Sequence, residues 1–118
     1  MPLTIHADET QVVACLSGEI DHHGAGPMRE QIDDALRRWM PPQLVLDFRD
    51  VTFMDSSGIG LVMGRYRLIS QWQGRVTVCD PSPSICRVMR LAGLDRIAKI
   101  ENTPPGTVRV GKGKEEER

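Results

Sequence analysis

The chain opens with alternation: Leu3, Ile5 and Ala7 are apolar, with Thr4 and His6 between them. A polar turn at Asp8-Glu9-Thr10 follows. Gln11 to Gly18 then forms an apolar run rich in β-formers, so the two runs predict a hairpin with the second strand more buried. Glu19 to Pro27 changes character, with acids, histidines, glycines and a proline suited to a first helical turn; it predicts a loop entering helix one. From Met28 the apolar positions Met28, Ile32, Ala35, Leu36 and Trp39 recur at helical spacing, with charged residues between them. Pro41-Pro42 ends that helix.

Gln43 to Phe48 is a short, nearly continuous apolar run, as expected of a central strand covered on both faces, and a strand that follows a helix predicts a parallel crossover. The stretch Val51 to Gly60 then reads as a loop delivering two serines to the start of helix two, predicted from about Ser57 to Trp72. Its core face is Ile59, Val62, Met63, Tyr66 and Ile69, with Gly60, Gly64, Arg67 and Gln71 on a different side. Gly74 closes it. Arg75 to Cys79 is a further strand and Asp80 to Pro83 a stiff turn. Ser84 to Ala92 is a short helix with Ile85, Val88, Met89 and Ala92 inward, capped by Gly93. Ile97 to Ile100 completes the set. This order is one α/β sheet of about five strands, mostly parallel beyond the opening hairpin. It predicts a single domain over residues 1 to 101. A tail over 102 to 118 has a short extended piece at Thr107 to Val110, and its last eight residues are too polar to build a core.

Composition narrows the function classes. The 118 residues suit one domain, and a net charge of −1 gives no general pull toward nucleic acid or anionic lipid. Aromatic residues are only 4%, so no series exists on which bases would stack. The three cysteines, Cys15, Cys79 and Cys86, form no CxxC and are odd in number, which suggests neither a disulfide framework nor a zinc site. A soluble protein of a reducing cytoplasm is expected, since the N-terminus lacks a signal-peptide pattern and no apolar run is long enough to span a membrane.

The chemistry concentrates in Asp55-Ser56-Ser57-Gly58. The first N–H groups of a helix have no internal partner and carry about half a positive charge. A serine there can cap the helix, bind an anion, or carry a phosphate whose charge the helix end offsets. Gly58, Gly60 and Gly64 each cost about 1 kcal/mol relative to alanine in a helix, so something must compensate. For Gly58 the close approach of a partner is favoured; for Gly60 and Gly64, a partner and tight packing on the sheet stand equal. His22-His23 does not make a metal site, because adjacent helical residues do not face one another and no further ligand completes a set. A serine hydrolase would need a positioned base, and the G-x-S-x-G elbow is absent; a phosphate-cradling G-x-x-x-x-G-K-[ST] loop is absent too.

With these elements placed, three segments carry a resemblance: Gly18-Glu19-Ile20-Asp21-His22-His23, Phe53-Met54-Asp55-Ser56-Ser57-Gly58-Ile59-Gly60, and Gly64-Arg65-Tyr66. Together they resemble the STAS-domain anti-anti-sigma factors over residues 1 to about 100. Asp21-His22-His23 favours the sporulation branch, the antagonists of the anti-sigma F factor. The resemblance implies a small mixed sheet with three to four helices mainly on one side, and no cofactor. It implies a regulatory binding module and not an enzyme. The unphosphorylated form binds the anti-sigma factor, a serine protein kinase, and so frees the sporulation sigma factor F. Phosphorylation of Ser56 ends the interaction, and a serine phosphatase restores it. Asp21, His22, His23, Asp55, Ser56, Ser57, Gly58 and Gly60 are then the partner-binding residues. Another partner-switching or transporter-associated STAS role is the alternative. Pro104-Pro105-Gly106 departs from the family, which usually has a last helix there.

Overall fold

The computed structural model describes residues 2–103. The predicted tail from Pro104 onward, including Thr107 to Val110, lies outside the described residues. Five strands and three helices alternate: β1 (Leu3–Ala7), β2 (Val12–Ile20), α1 (His22–Trp39), β3 (Gln43–Met54), α2 (Ser56–Ser70), β4 (Arg75–Cys79), α3 (Pro83–Leu91), a 3-10 turn (Leu94–Arg96) and β5 (Lys99–Glu101). The sheet runs β1-β2-β3-β4-β5 without reversal. β1 and β2 are antiparallel, and every later pair is parallel.

That order decides the layering. Each parallel crossover steps one strand in the same direction, and right-handed connections then place all three helices on one face. Toward the helices the strands send Val12, Ala14 and Leu16, Leu44, Leu46 and Phe48, and Val76 and Val78, all essentially buried. Ile32 and Leu36 of α1, Val62 and Ile69 of α2, and Met89 of α3 close over them.

Several elements depart from the sequence expectation, and each departure has a local cause. β2 does not stop at Gly18. That glycine takes φ +76° but stays paired with Val51, and the register shifts on either side of it are extra residues of β3, so β2 continues to Ile20. β3 likewise runs on past Phe48 to Met54, because Asp50 to Met54 pair with the second half of β2. Helix one begins at His22 rather than near Met28. Of the supposed loop, Glu19 and Ile20 end β2, Asp21 caps the helix, and His22 to Pro27 lie inside it. Helix two starts one residue early, at Ser56, and ends at Ser70. Its buried residues are Gly58, Leu61, Val62, Arg65 and Ile69, so Ile59, Met63 and Tyr66 flank the core and do not centre it. In α3, Ile85 and Met89 point inward as expected. Val88 and Ala92 are exposed, because nine residues with one buried stripe reach the core only at i and i+4. Gly93 does take the left-handed conformation, φ +82°. The residues after it form the 3-10 turn, which delays β5 to Lys99.

No helix among the described residues is long and apolar enough to cross a membrane.

Candidate functional site

Extension of β2 and β3 to Ile20 and Met54 brings the two singled-out segments together. Ile20 pairs in register with Met54, and the Asp55 N–H donates to the Ile20 carbonyl at 3.1 Å. One residue then separates each strand from its helix, and in both cases it is an aspartate. Asp21 caps α1, accepting from the backbone N–H groups of His23 (3.0 Å) and Gly24 (2.8 Å). Asp55 caps α2, accepting from the Ser57 N–H at 2.8 Å. Two capped helix starts thus stand side by side at the C-terminal edge of adjacent parallel strands, the edge at which α/β sheets present their loops.

Ser56 is the first helical residue of α2. Its side chain is exposed and lies outside the capping hydrogen bonds, since Asp55 already performs that task. Ser57 is half-buried. His22 and His23 are exposed in the first turn of α1, their ring centroids 4.1 Å apart. Phe53, which sequence reasoning did not single out, is 51% exposed at the end of β3. No local signal marks it: the register skips a residue between Val51, opposite Gly18, and Phe53, opposite Glu19, which turns Phe53 away from the face that Val51 buries.

The Asp21 carboxyl titrates below its ordinary value of 3.8. The Gly24 N–H is the main cause; partial desolvation opposes it, and the His23 N–H and both imidazoles add to it. A carboxyl whose folded value is depressed stabilises fully above its unfolded value and loses that contribution as pH falls through the folded one. The α1 cap should therefore persist at any pH near neutral and fade only in acid. A carboxyl-detected NMR titration is expected to place the Asp21 midpoint below 3.8; a midpoint at or above it would contradict the capping account.

The glycines divide differently from the sequence expectation. Gly58 is buried, and a Cβ there would overlap Cγ and Sδ of Met54, so tight internal packing, and not a partner, accounts for it. Gly60 and Gly64 are the reverse: a Cβ on either meets nothing within 4 Å, so packing on the sheet does not require them. In the isolated protein Gly60→Ala should gain about 1 kcal/mol from helix propensity, a rise of roughly 3–6 °C in Tm. Gly58→Ala should lower Tm, because overpacking costs about 1–3 kcal/mol against the same gain. Thermal melts of the two variants moving in the same direction would contradict this division.

Behind the site α1 and α2 are joined by an ion pair. Arg65 Nε lies 2.6 Å from Asp33 Oδ1, and both side chains are largely buried, 7% and 12% exposed. Burial pulls the Arg65 guanidinium below its ordinary range, and the Asp33 carboxylate opposes that shift. Arg65 also reaches the Leu61 carbonyl through Nη1 at 3.4 Å.

A five-stranded mixed sheet with helices on one face, and paired aspartate-capped helix starts presenting an exposed serine, define an α/β domain built to show a surface. The chain belongs to the STAS domain family, which matches residues 3–105. It is 42% identical over 89 residues to the anti-sigma F factor antagonist of Paenibacillus polymyxa, covering 75% of this chain and 76% of that one. Its fold superposes on the anti-sigma factor antagonist SpoIIAA in its unphosphorylated form with a TM-score of 0.77, at 29% identity, over 91% of this chain and 99% of that one. Against the Bacillus cell fate determinant SpoIIAA in the phosphorylated form the TM-score is 0.71, at 28% identity, over 98% and 99% of the two chains.

Proposed function

We propose that this protein is an anti-sigma factor antagonist of the sporulation type, switched by phosphate on Ser56. Unphosphorylated, it binds its anti-sigma factor, a serine protein kinase, through the surface formed by Asp21, His22, His23, Asp55, Ser56 and Ser57, with Gly60 and the exposed Phe53 at its margin. The sigma factor is thereby released. The kinase transfers phosphate to Ser56 and the complex dissociates, and a serine phosphatase regenerates the binding form. The nucleotide belongs to the kinase, and this chain is substrate and ligand, not enzyme.

The observation that carries this reading is the division of labour at α2. Asp55 caps the helix, which leaves the Ser56 hydroxyl exposed and uncommitted at a helix start. A phosphate there gains from the helix dipole, so the fold need not rearrange. The match of this fold to both an unphosphorylated and a phosphorylated relative supports that point. The test is to mix the protein with its cognate anti-sigma factor and either ADP or ATP, then follow complex formation and the intact mass of the product. A stable complex with ADP, and a phosphorylated, released protein with ATP, is expected. Absence of a complex with ADP would overturn the reading.

A further inference from the structure

The first turns of α1 and α2 diverge around a groove of about 410 Å³ that begins beside Ser57 and runs along both helices. Its lining includes small residues, Ala25 and Gly26 from α1 and Gly60 and Gly64 from α2. A Cβ at Gly26, Gly60 or Gly64 would meet nothing within 4 Å. Helical glycine costs stability relative to alanine, and the fold obtains nothing in return at these three positions. The formal charge of the lining is positive and comes from Arg29, since Arg65 is paired with Asp33. His22, Arg29 and Arg65 line it, and no acidic residue does. Asp33, which holds Arg65 Nε from behind, is not in the lining.

We infer that the groove between α1 and α2 receives an acidic segment of the anti-sigma factor, its backbone passing close over Gly60 and Gly64 and its carboxylates meeting His22 and Arg29. This rests on the antagonist reading above and extends it from one serine to a shaped, charged track. It also accounts for how a single phosphate acts. Ser56 directly precedes Ser57, which lines the groove, so a phosphate there repels an incoming acidic chain and competes with it for Arg29. Both effects oppose docking while the fold stays intact.

The test compares binding of the complete protein and its variants to the cognate anti-sigma factor with ADP, by calorimetry and stopped-flow. Gly64→Leu, which fills the groove, and Arg29→Glu, which reverses its charge, should each weaken binding by about tenfold or more. Arg29→Glu should also slow association and flatten its salt dependence, because rim charges act mainly on the on-rate. Arg29→Lys should retain most of the affinity. Circular dichroism melts establish that each variant is folded. Folded Gly64→Leu and Arg29→Glu proteins that bind within about twofold of the parent, while Ser56→Asp still fails to bind, would overturn the groove and leave the serine switch standing. A parent protein that forms no complex would overturn both. If sedimentation shows a dimer of this chain that Gly64→Leu dissociates, with anti-sigma binding unchanged, the groove belongs to a second copy and the inference fails.

Discussion

Ser56→Ala is expected to bind the anti-sigma factor with ATP as firmly as with ADP and to acquire no phosphate, whereas Ser56→Asp should bind poorly with either nucleotide. The first result follows from where the capping takes place. Asp55, not Ser56, accepts the Ser57 N–H, so removing the Ser56 hydroxyl should change stability by no more than about 0.5 kcal/mol. Asp55→Ala, by contrast, should cost about 0.5–2 kcal/mol as a lost cap. The second result follows from charge. Phosphate adds roughly −1.5 to −2 at neutral pH. One pair of like charges about 4 Å apart repels by about 1 kcal/mol in water and about 4 kcal/mol near a protein surface, which weakens binding roughly five- to a thousandfold. Aspartate carries a single charge and should reproduce only part of that. Intact-mass spectrometry after incubation with the kinase and ATP decides the matter. A phosphate still added to the Ser56→Ala protein would remove Ser56 from its assigned role.

The largest stability effect is expected at Arg65, through its ion pair with Asp33 inside the fold. Arg65→Ala leaves the Asp33 carboxylate buried without its counter-charge, and breaking such a pair from one side costs about 3–5 kcal/mol. Set against a total stability of about 5–15 kcal/mol for a domain, this is enough to threaten folding at physiological temperature. The pair itself need not stabilise. The double variant Asp33→Leu/Arg65→Met, apolar and of similar volume, should recover most of the loss, since buried ion pairs are often replaceable by well-packed apolar residues. Urea unfolding of the two single variants and the double variant reads this directly. A loss below about 1 kcal/mol for Arg65→Ala would show that the pair is solvated in solution, against the burial seen here. The role left to the pair is positional, as it fixes α1 against α2 and so sets the width of the groove between them.

Much of the molecule was legible from local pattern. The order of elements, the opening hairpin, the amphipathic α1 from Met28 onward, the Gly93 turn and the assignment of Ser56 to a helix start all follow from periodicity and punctuation within short windows. The misreadings share one origin. Gly18 looked like a strand end and proved to be paired inside a strand, opposite Val51; Val51 to Met54 looked like a loop and proved to be strand. In both places the partner strand supplies the hydrogen bonds that the local sequence does not advertise. The helix-two core face was misplaced for the same reason: Arg65, a cation at an inward position, is acceptable there only because Asp33, thirty-two positions earlier, meets it.

The sequence by itself determined that this is one α/β sheet, and it singled out Asp55-Ser56-Ser57 and, by resemblance, Asp21-His22-His23. These are properties of composition, spacing and neighbouring residues. Only the tertiary structure decided that the two segments meet, because the contact depends on the register Ile20 to Met54 between strands far apart in the chain. It likewise decided that Gly58 serves the interior while Gly60 and Gly64 face open space. A glycine records that a side chain is missing; only the surrounding atoms show whether the space is filled from inside or left open.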